Sequence, residues 1–238
     1  MPRLAVQVVS NKTTELIPAL TTSVLGLLTT SGSAGFDLLN GALHLTSNVP
    51  NSAGSMFGLT PVDVTSFSTS FTFKLNAPFS GGLAFVLHNN KTTAAALGGP
   101  GDRLGFGPDD KTGTPLRNAV AIKFDTNPNS AGGGNSTGLY SWASIPSEGG
   151  IDLTPSGIDL KSGHVFKADL DYDGETLTVT ILDTVTLKKA TQTYKVNIPQ
   201  MVTGALGRPI TPTAFVGFTG GAGSAGGSYD VLSWTFRN

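Results

Sequence analysis

Alternation with period two is the dominant pattern along the chain. From Phe67 to Leu75 the odd positions are mostly apolar, while Ser68, Ser70, Thr72 and Lys74 take the other face, as a half-buried strand requires. Leu177, Val179 and Ile181 alternate with three threonines over 176–181, and Leu232, Trp234 and Phe236 alternate with Val231, Ser233 and Thr235. By contrast Leu83-Ala84-Phe85-Val86-Leu87 is apolar throughout, which predicts a strand covered on both faces. Strands of both kinds in one chain call for two stacked sheets. Asp173-Gly174, between 165–172 and 175–182, predicts a two-residue type I′ hairpin turn, which needs positive φ at both central residues. Stretches rich in Gly, Pro, Asn and Ser at 98–113, 127–138, 144–163 and 220–228 read as long loops, of a length often used for binding or wrapping. No segment sustains a helical period, and no internal repeat is present.

Composition narrows this picture to one β-rich domain: 238 residues with 31 Gly, 14 Pro, no Cys and 13% charged residues fit a single sandwich. The lack of Cys excludes a disulfide framework, thiolate zinc sites and a cysteine nucleophile. A net charge of −1 argues against nucleic acid as a partner, which would need a basic stripe. Leu16–Leu28, with Arg3 and Lys12 upstream and Gly32-Ser33-Ala34 as a cleavage tripeptide, has the outline of a secretory signal. Glu15, Pro18 and five hydroxyl residues dilute it, and with Gly26 they also argue against a membrane span. Residues 1–35 therefore read as an N-terminal arm or first strands, and 36–238 as the main domain. Three N-x-S/T sequons start at Asn11, Asn90 and Asn135, and matter only if a eukaryotic cell secretes the chain.

Candidate chemistry is sparse. Asp169-Leu170-Asp171-Tyr172-Asp173-Gly174 matches the opening of a calcium loop, but Thr180 stands where such a loop needs Glu, and a hairpin explains the run more simply. His44, His88 and His164 share no metal-ligand spacing. With only three Glu (Glu15, Glu148, Glu175), no paired carboxylates for hydrolysis and no G-x-S-x-G elbow, the chain reads as a non-enzyme.

The strand Ala119–Thr126 is the most informative. Val120, Ile122 and Phe124 share one face, Lys123 and Asp125 the other, and Asn127-Pro128-Asn129 with a Gly-rich loop follows. This segment resembles the V-x-V-E-F-D-T-x-x-N signature of the legume-type (L-type) lectins. Further likenesses follow in the family's order: Asn40–Thr46 to "nGslqLT", Pro61–Phe73 to "PV…SFsTsFtF", Gly81–Leu87 to "DGLAFfL", and Phe215–Gly221 with Tyr229–Phe236 to "yVGFSaatG…HdVLSWsF". Together they cover about residues 36–238. The wording Ile122-Lys123-Phe124-Asp125 and Ser136-Thr137-Gly138-Leu139-Tyr140 is most similar to bacterial lectin-like domains.

The resemblance implies an all-β, concanavalin A-like jelly-roll sandwich of two antiparallel sheets. It implies a carbohydrate-binding or adhesion module, with glycan as partner, working at an extracellular, cell-surface or virion surface. The implied sugar site lies around Gly81, Gly99, Asn129, Gly220 and Gly221, and calcium is the implied cofactor, with Asp125 and Asn129 as its matching ligands. Here the chain departs from the family. Lys123 stands at the Glu that would hold a transition metal, the loop's second Asp has no counterpart in Ser130–Gly134, and the metal-binding His falls at or near Ser136. One Asp and one Asn make a poor complement for an ion that wants six to eight oxygens. Residues i and i+2 share a strand face, so the Lys123 ammonium either meets Asp125 in place of the metal or points to solvent. Gly81 also replaces the Asp that accepts sugar hydroxyls, which predicts weak or altered sugar binding. Tyr140 and Trp142 are the stacking candidates. The missing ligands and low charge support an alternative, a self-associating structural protein of a surface layer, appendage or virion.

Overall fold

The computed structural model describes residues 6–9, 27–37, 39, 41–108, 115–128, 132–141, 146, 149–203 and 212–238. The expected pair of antiparallel sheets is present. One runs β14 (Lys189–Lys195), β13 (Thr176–Asp183), β12 (Phe166–Tyr172), β7 (Phe67–Asn76), β16 (Ser228–Arg237), β4 (Ala42–Ser47) and β3 (Gly35–Asp37). The short β1 (Val6–Val9) lies parallel to the C-terminal half of β16, on the edge whose other half β4 takes. The second sheet runs β11 (Ile151–Asp152), β10 (Ser136–Ser141), β9 (Ala119–Asp125), β8 (Gly81–His88), β15 (Thr213–Ala222), β5 (Ala53–Gly58) and β2 (Leu28–Gly32), with β6 (Val62–Asp63) on β15. Leu28–Gly32 thus belongs to the second sheet, while Ser33 is tied by its amide to Ala53 O and by its hydroxyl to Leu45 O, both at 2.9 Å. A boundary drawn between 35 and 36 falls inside β3.

Alternation explains the layers. β7 is buried at every odd position; Phe71 stacks on Phe85 and meets Phe124 and Phe218 edge-on, and Phe73 stacks on Phe166 and lies tilted against Phe124. β8 is buried along its whole length, as its unbroken apolar run predicts. Leu83, Phe85 and Leu87 enter the intersheet core, whereas Ala84 and Val86 join a second cluster with Phe57, Ala121, Tyr140 and Phe215. Ala94, Ala96, Phe106 and Leu116 complete that cluster, so the segment after β8 folds over the outer face of the second sheet.

Three local expectations need correction. The hairpin after β12 pairs Asp173 N with Thr176 O, which makes Gly174-Glu175 the central pair, with positive φ only at Gly174 (+105°). That is the type II′ pattern, one residue further on than expected. In β16 the register shifts between Val231 and Ser233, so Val231, Trp234 and Phe236 are buried while Leu232 is only half-buried. A bulge inserts one residue and inverts the alternation beyond it. The long loop read at 220–228 is shorter, because Gly220–Ala222 still belongs to β15 and Ser228 to β16. A short helix, α1 (Ile198–Thr203), was not foreseen; it buries Ile198 and Val202, and six residues are too few to display a period.

Candidate functional site

At one end of the second sheet, three of the expected sugar-site residues, Gly81, Gly220 and Gly221, form a floor of close-packed backbone, and a fourth, Gly99, lies in the segment over it. Gly81 opens β8 opposite Ala222, and Gly82 lies between Gly221 and Asp125. A Cβ on Gly81 would stand 1.9 Å from Gly221 O, and one on Gly221 would stand 2.9 Å from Gly101 O. The segment 99–107 caps this floor: Gly99 N donates to Gly107 O at 3.0 Å, and Gly105 N to Gly99 O at 2.8 Å. Gly105 in turn packs against Gly220 O. Gly81, Gly99, Gly220 and Gly221 are all buried, and none has a side chain to offer a ligand. Asn129, Ser130 and Trp142 lie outside the described residues. At the rim, the 3-10 turn Gly101–Arg103 carries Asp102, whose partly exposed carboxylate is 3.6 Å from Arg103 Nε.

β9 links this floor to a buried ionic group. Thr126 donates to Gly81 O through both its amide (2.9 Å) and its hydroxyl (2.5 Å). Asp125, one residue before, accepts Asn127 N–H on Oδ1 at 2.8 Å and the Lys123 ammonium on Oδ2 at 3.3 Å. Both side chains are fully buried. Lys123 Nζ also donates to Pro146 O at 2.7 Å and Gly149 O at 3.3 Å, and lies 5.3 Å from the centre of the Tyr140 ring. Burial pulls the Lys123 pKa below its ordinary value and the Asp125 charge opposes that pull. An ammonium can donate to all three of these oxygens at once, whereas a neutral amine has only two N–H groups to offer. Tyr140 is buried, with its hydroxyl on Gly149 O at 2.5 Å, so it holds the loop and offers no face for stacking. Burial pushes its pKa up, and the Asp125 charge adds to the shift.

The described donors do not fit a divalent cation. Both Asp125 oxygens are engaged, one by a buried ammonium that would repel the ion at close range. Opposite Asp125, the Ser136 hydroxyl is buried and has no partner among the described residues, a single neutral oxygen at or near the position where the resemblance implies a metal-binding His. Among the described residues no group of three or more His, Cys, Asp or Glu is arranged to hold a metal. The Asp169–Gly174 run is strand and turn: Lys167 pairs with Asp169, and Asp173 Oδ1 caps Glu175 N and Thr176 N.

Sequence reasoning missed several ionic and polar contacts. His44 lies between two carboxylates, with Nδ1 2.5 Å from Asp230 and Nε2 3.3 Å from Asp37. Burial lowers its pKa, but Asp230 and then Asp37 outweigh that, and the net shift is upward. His164 pairs with Asp183 at 2.9 Å; with the amides of Val185 and Thr186 it overcomes the cost of burial and holds that carboxyl at about 2. His88 is buried between Phe57 and Phe215, accepts Asn90 N–H on Nδ1, and is held neutral by burial, which lowers its pKa to about 3. Asn135, the start of a sequon, is buried and bonded to Thr154, Ile158 and Leu160. Separations of 186 residues for His44–Asp230 and 23 to 26 for the Lys123 loop contacts leave no local signal in the chain.

Two all-β sheets, a loop segment laid over the outer face of one, and a glycine floor beside a strand-end Asp define a lectin-type sandwich. The sequence profile of the legume lectin domain matches residues 19–238, and the chain belongs to that family. It is 29% identical to a probable L-type lectin-domain containing receptor kinase II.1 of Arabidopsis thaliana, over 83% of this chain and 33% of the kinase. It is 27% identical to agglutinin-2 of Cladrastis kentukea, over 87% of this chain and 66% of the agglutinin. The chain therefore spans a third of the receptor kinase and just under two thirds of the agglutinin. Among solved structures, the metal-free form of lectin I-B4 from Griffonia simplicifolia shares the fold with a TM-score of 0.73 and 24% identity, over 91% of this chain and 94% of that one. The Bauhinia forficata lectin solved in complex with GalNAc has a TM-score of 0.69 and 22% identity, over 88% and 91% of the two chains.

Proposed function

We propose that this protein is a non-catalytic carbohydrate-binding module that takes its glycan at the loop end of the second sheet. Membership of the legume lectin domain family over residues 19–238 is the observation that carries this reading. The GalNAc complex of the Bauhinia lectin, on the same fold, is consistent with it. In our reading Gly81, Gly220 and Gly221 form the floor of the site and Gly99 belongs to the segment that caps it. Asn129 supplies an amide, and Asp102 supplies the solvent-facing carboxylate that position 81 cannot carry. Loss of a carboxylate at position 81 removes charge-assisted hydrogen bonds of about 1.5–3 kcal/mol each, so we assign weak intrinsic affinity strengthened by multivalent display. A glycan encountered this way places the module at an extracellular or surface location. No helix among the described residues is long and apolar enough to cross a membrane. The wording of β9 and β10 leads us to group the chain with bacterial lectin-like domains.

A glycan array probed with a multivalent form of the chain tests the proposal. Binding is expected to one class of glycan and to fall at least about tenfold in Asp102→Asn, the loss of roughly one charge-assisted bond, and about two- to tenfold in Asn129→Ala, the loss of a neutral one. Silence across the array together with ordered self-assembly would replace the proposal with the structural role.

A further inference from the structure

We propose that the Lys123 ammonium is the resident cation of this site, a covalently held substitute for a divalent metal that ties Asp125 on β9 to the loop carbonyls of Pro146 and Gly149. In consequence the fold and its loop end need no metal. The inference uses the family reading only for the expectation that a metal belongs here. Its tests read metal occupancy and stability, not sugar binding, so either proposal can fail while the other stands.

Three observations converge. Among the described residues the ammonium's acceptors are one carboxylate oxygen and two backbone carbonyls, the oxygen types that a hard divalent ion would also take. Neither the Lys123 nor the Asp125 side chain is exposed to solvent. The result of the contact reaches the floor of the site: Asp125 Oδ1 fixes Asn127 N, and the next residue, Thr126, holds Gly81 O. Lys123 is therefore a positioning residue. It acts on the loop end through Asp125, as a bound ion would, but it is present at any metal concentration.

The full chain, stripped with EDTA and dialysed, is titrated with Ca²⁺ and with Mn²⁺ by calorimetry, and its melting temperature is recorded with and without each ion at millimolar concentration. No binding and a change in Tm within about 1 °C are expected. An ion held at about a hundred times its Kd would raise Tm by roughly 5–10 °C for a chain of this size. Stoichiometric binding by the wild type, or a loss of that size in EDTA, would overturn the proposal, and this measurement needs no variant to fold. Lys123→Met, which keeps the length and removes the charge, is expected to melt at least about 5 °C lower, with no recovery in either ion. A Lys123→Met protein as stable as the wild type would also sink it. Lys123→Glu places a second carboxylate two residues from Asp125, and its Tm is expected to rise on adding Ca²⁺ or Mn²⁺. No response in that variant would count against ammonium and metal ion sharing one place.

Discussion

Lys123 and Gly81 stand near one end of the same sheet, and opposite physical limits govern them. Lys123 adds a charge that is tolerable in the interior because a carboxylate and backbone carbonyls accept from it. Gly81 removes a side chain because the carbonyl of Gly221 fills the space. Gly81→Ala is therefore expected to destabilise the protein by about 3 kcal/mol or more, at the upper end for overpacking, by forcing β8 away from β15. Urea unfolding checks this, and a cost under about 1 kcal/mol would mean that the strands separate easily. The i, i+2 spacing made the meeting of Lys123 and Asp125 legible in the sequence, because strand geometry puts both on one face. The other two acceptors were not legible, because they are backbone carbonyls of a segment whose position depends on tertiary packing.

Elements were readable wherever burial alone decides the pattern. β7, β8 and β13 follow their alternating or unbroken apolar runs. The errors lie where backbone geometry breaks the period: at the bulge near Leu232 and at the hairpin centred on Gly174-Glu175. At that hairpin Asp173 takes up the amides of Glu175 and Thr176, a side-chain cap that the Asp-Gly dipeptide alone does not distinguish from a turn residue. Asn135 does similar work between elements, joining the start of β10 to the 154–160 segment by side-chain bonds to Ile158 O and from Leu160 N. Asn135→Ala leaves those two groups buried and unpaired, with an expected cost of about 2–4 kcal/mol. Hydrogen exchange should show early loss of protection at Leu160, and unchanged exchange there would refute the assignment. Because this side chain is buried and fully bonded, expression in a glycosylating host is expected to leave Asn135 unmodified, as intact-mass spectrometry would report.

For the molecule as a whole, the histidines set opposing pH dependences. His88 has a folded pKa of about 3 against an ordinary 6.5, so the unfolded chain holds the extra proton between those values and stability rises with pH across that window. Asp183, at about 2 against 3.8, adds a contribution that is complete above 3.8 and is lost as pH falls toward 2. His44 is raised above 6.5, so its contribution is present below 6.5 and fades as pH climbs through the folded value. Maximum stability is expected near pH 6.5, with the acid side steeper, at up to about 1.4 kcal/mol per pH unit from His88 alone. Calorimetric melts from pH 4 to 8 check this. His88→Leu should flatten the acid limb, and an unchanged slope in that variant would show that another group governs it.

The glycine floor also constrains how this end of the protein can diverge. The carbonyl of Gly221 fills the side-chain volume of Gly81, while Gly101 O and the Leu104 backbone fill that of Gly221, so neither codon can drift alone: a carboxylate fits at position 81 only if β15 gives way at the same step. Each glycine is held by the layer above it, Gly81 by β15 and Gly221 by the 101–104 segment. At the proposed site, changes in ligand preference are therefore easier at a partly exposed position such as Asp102 than at either glycine.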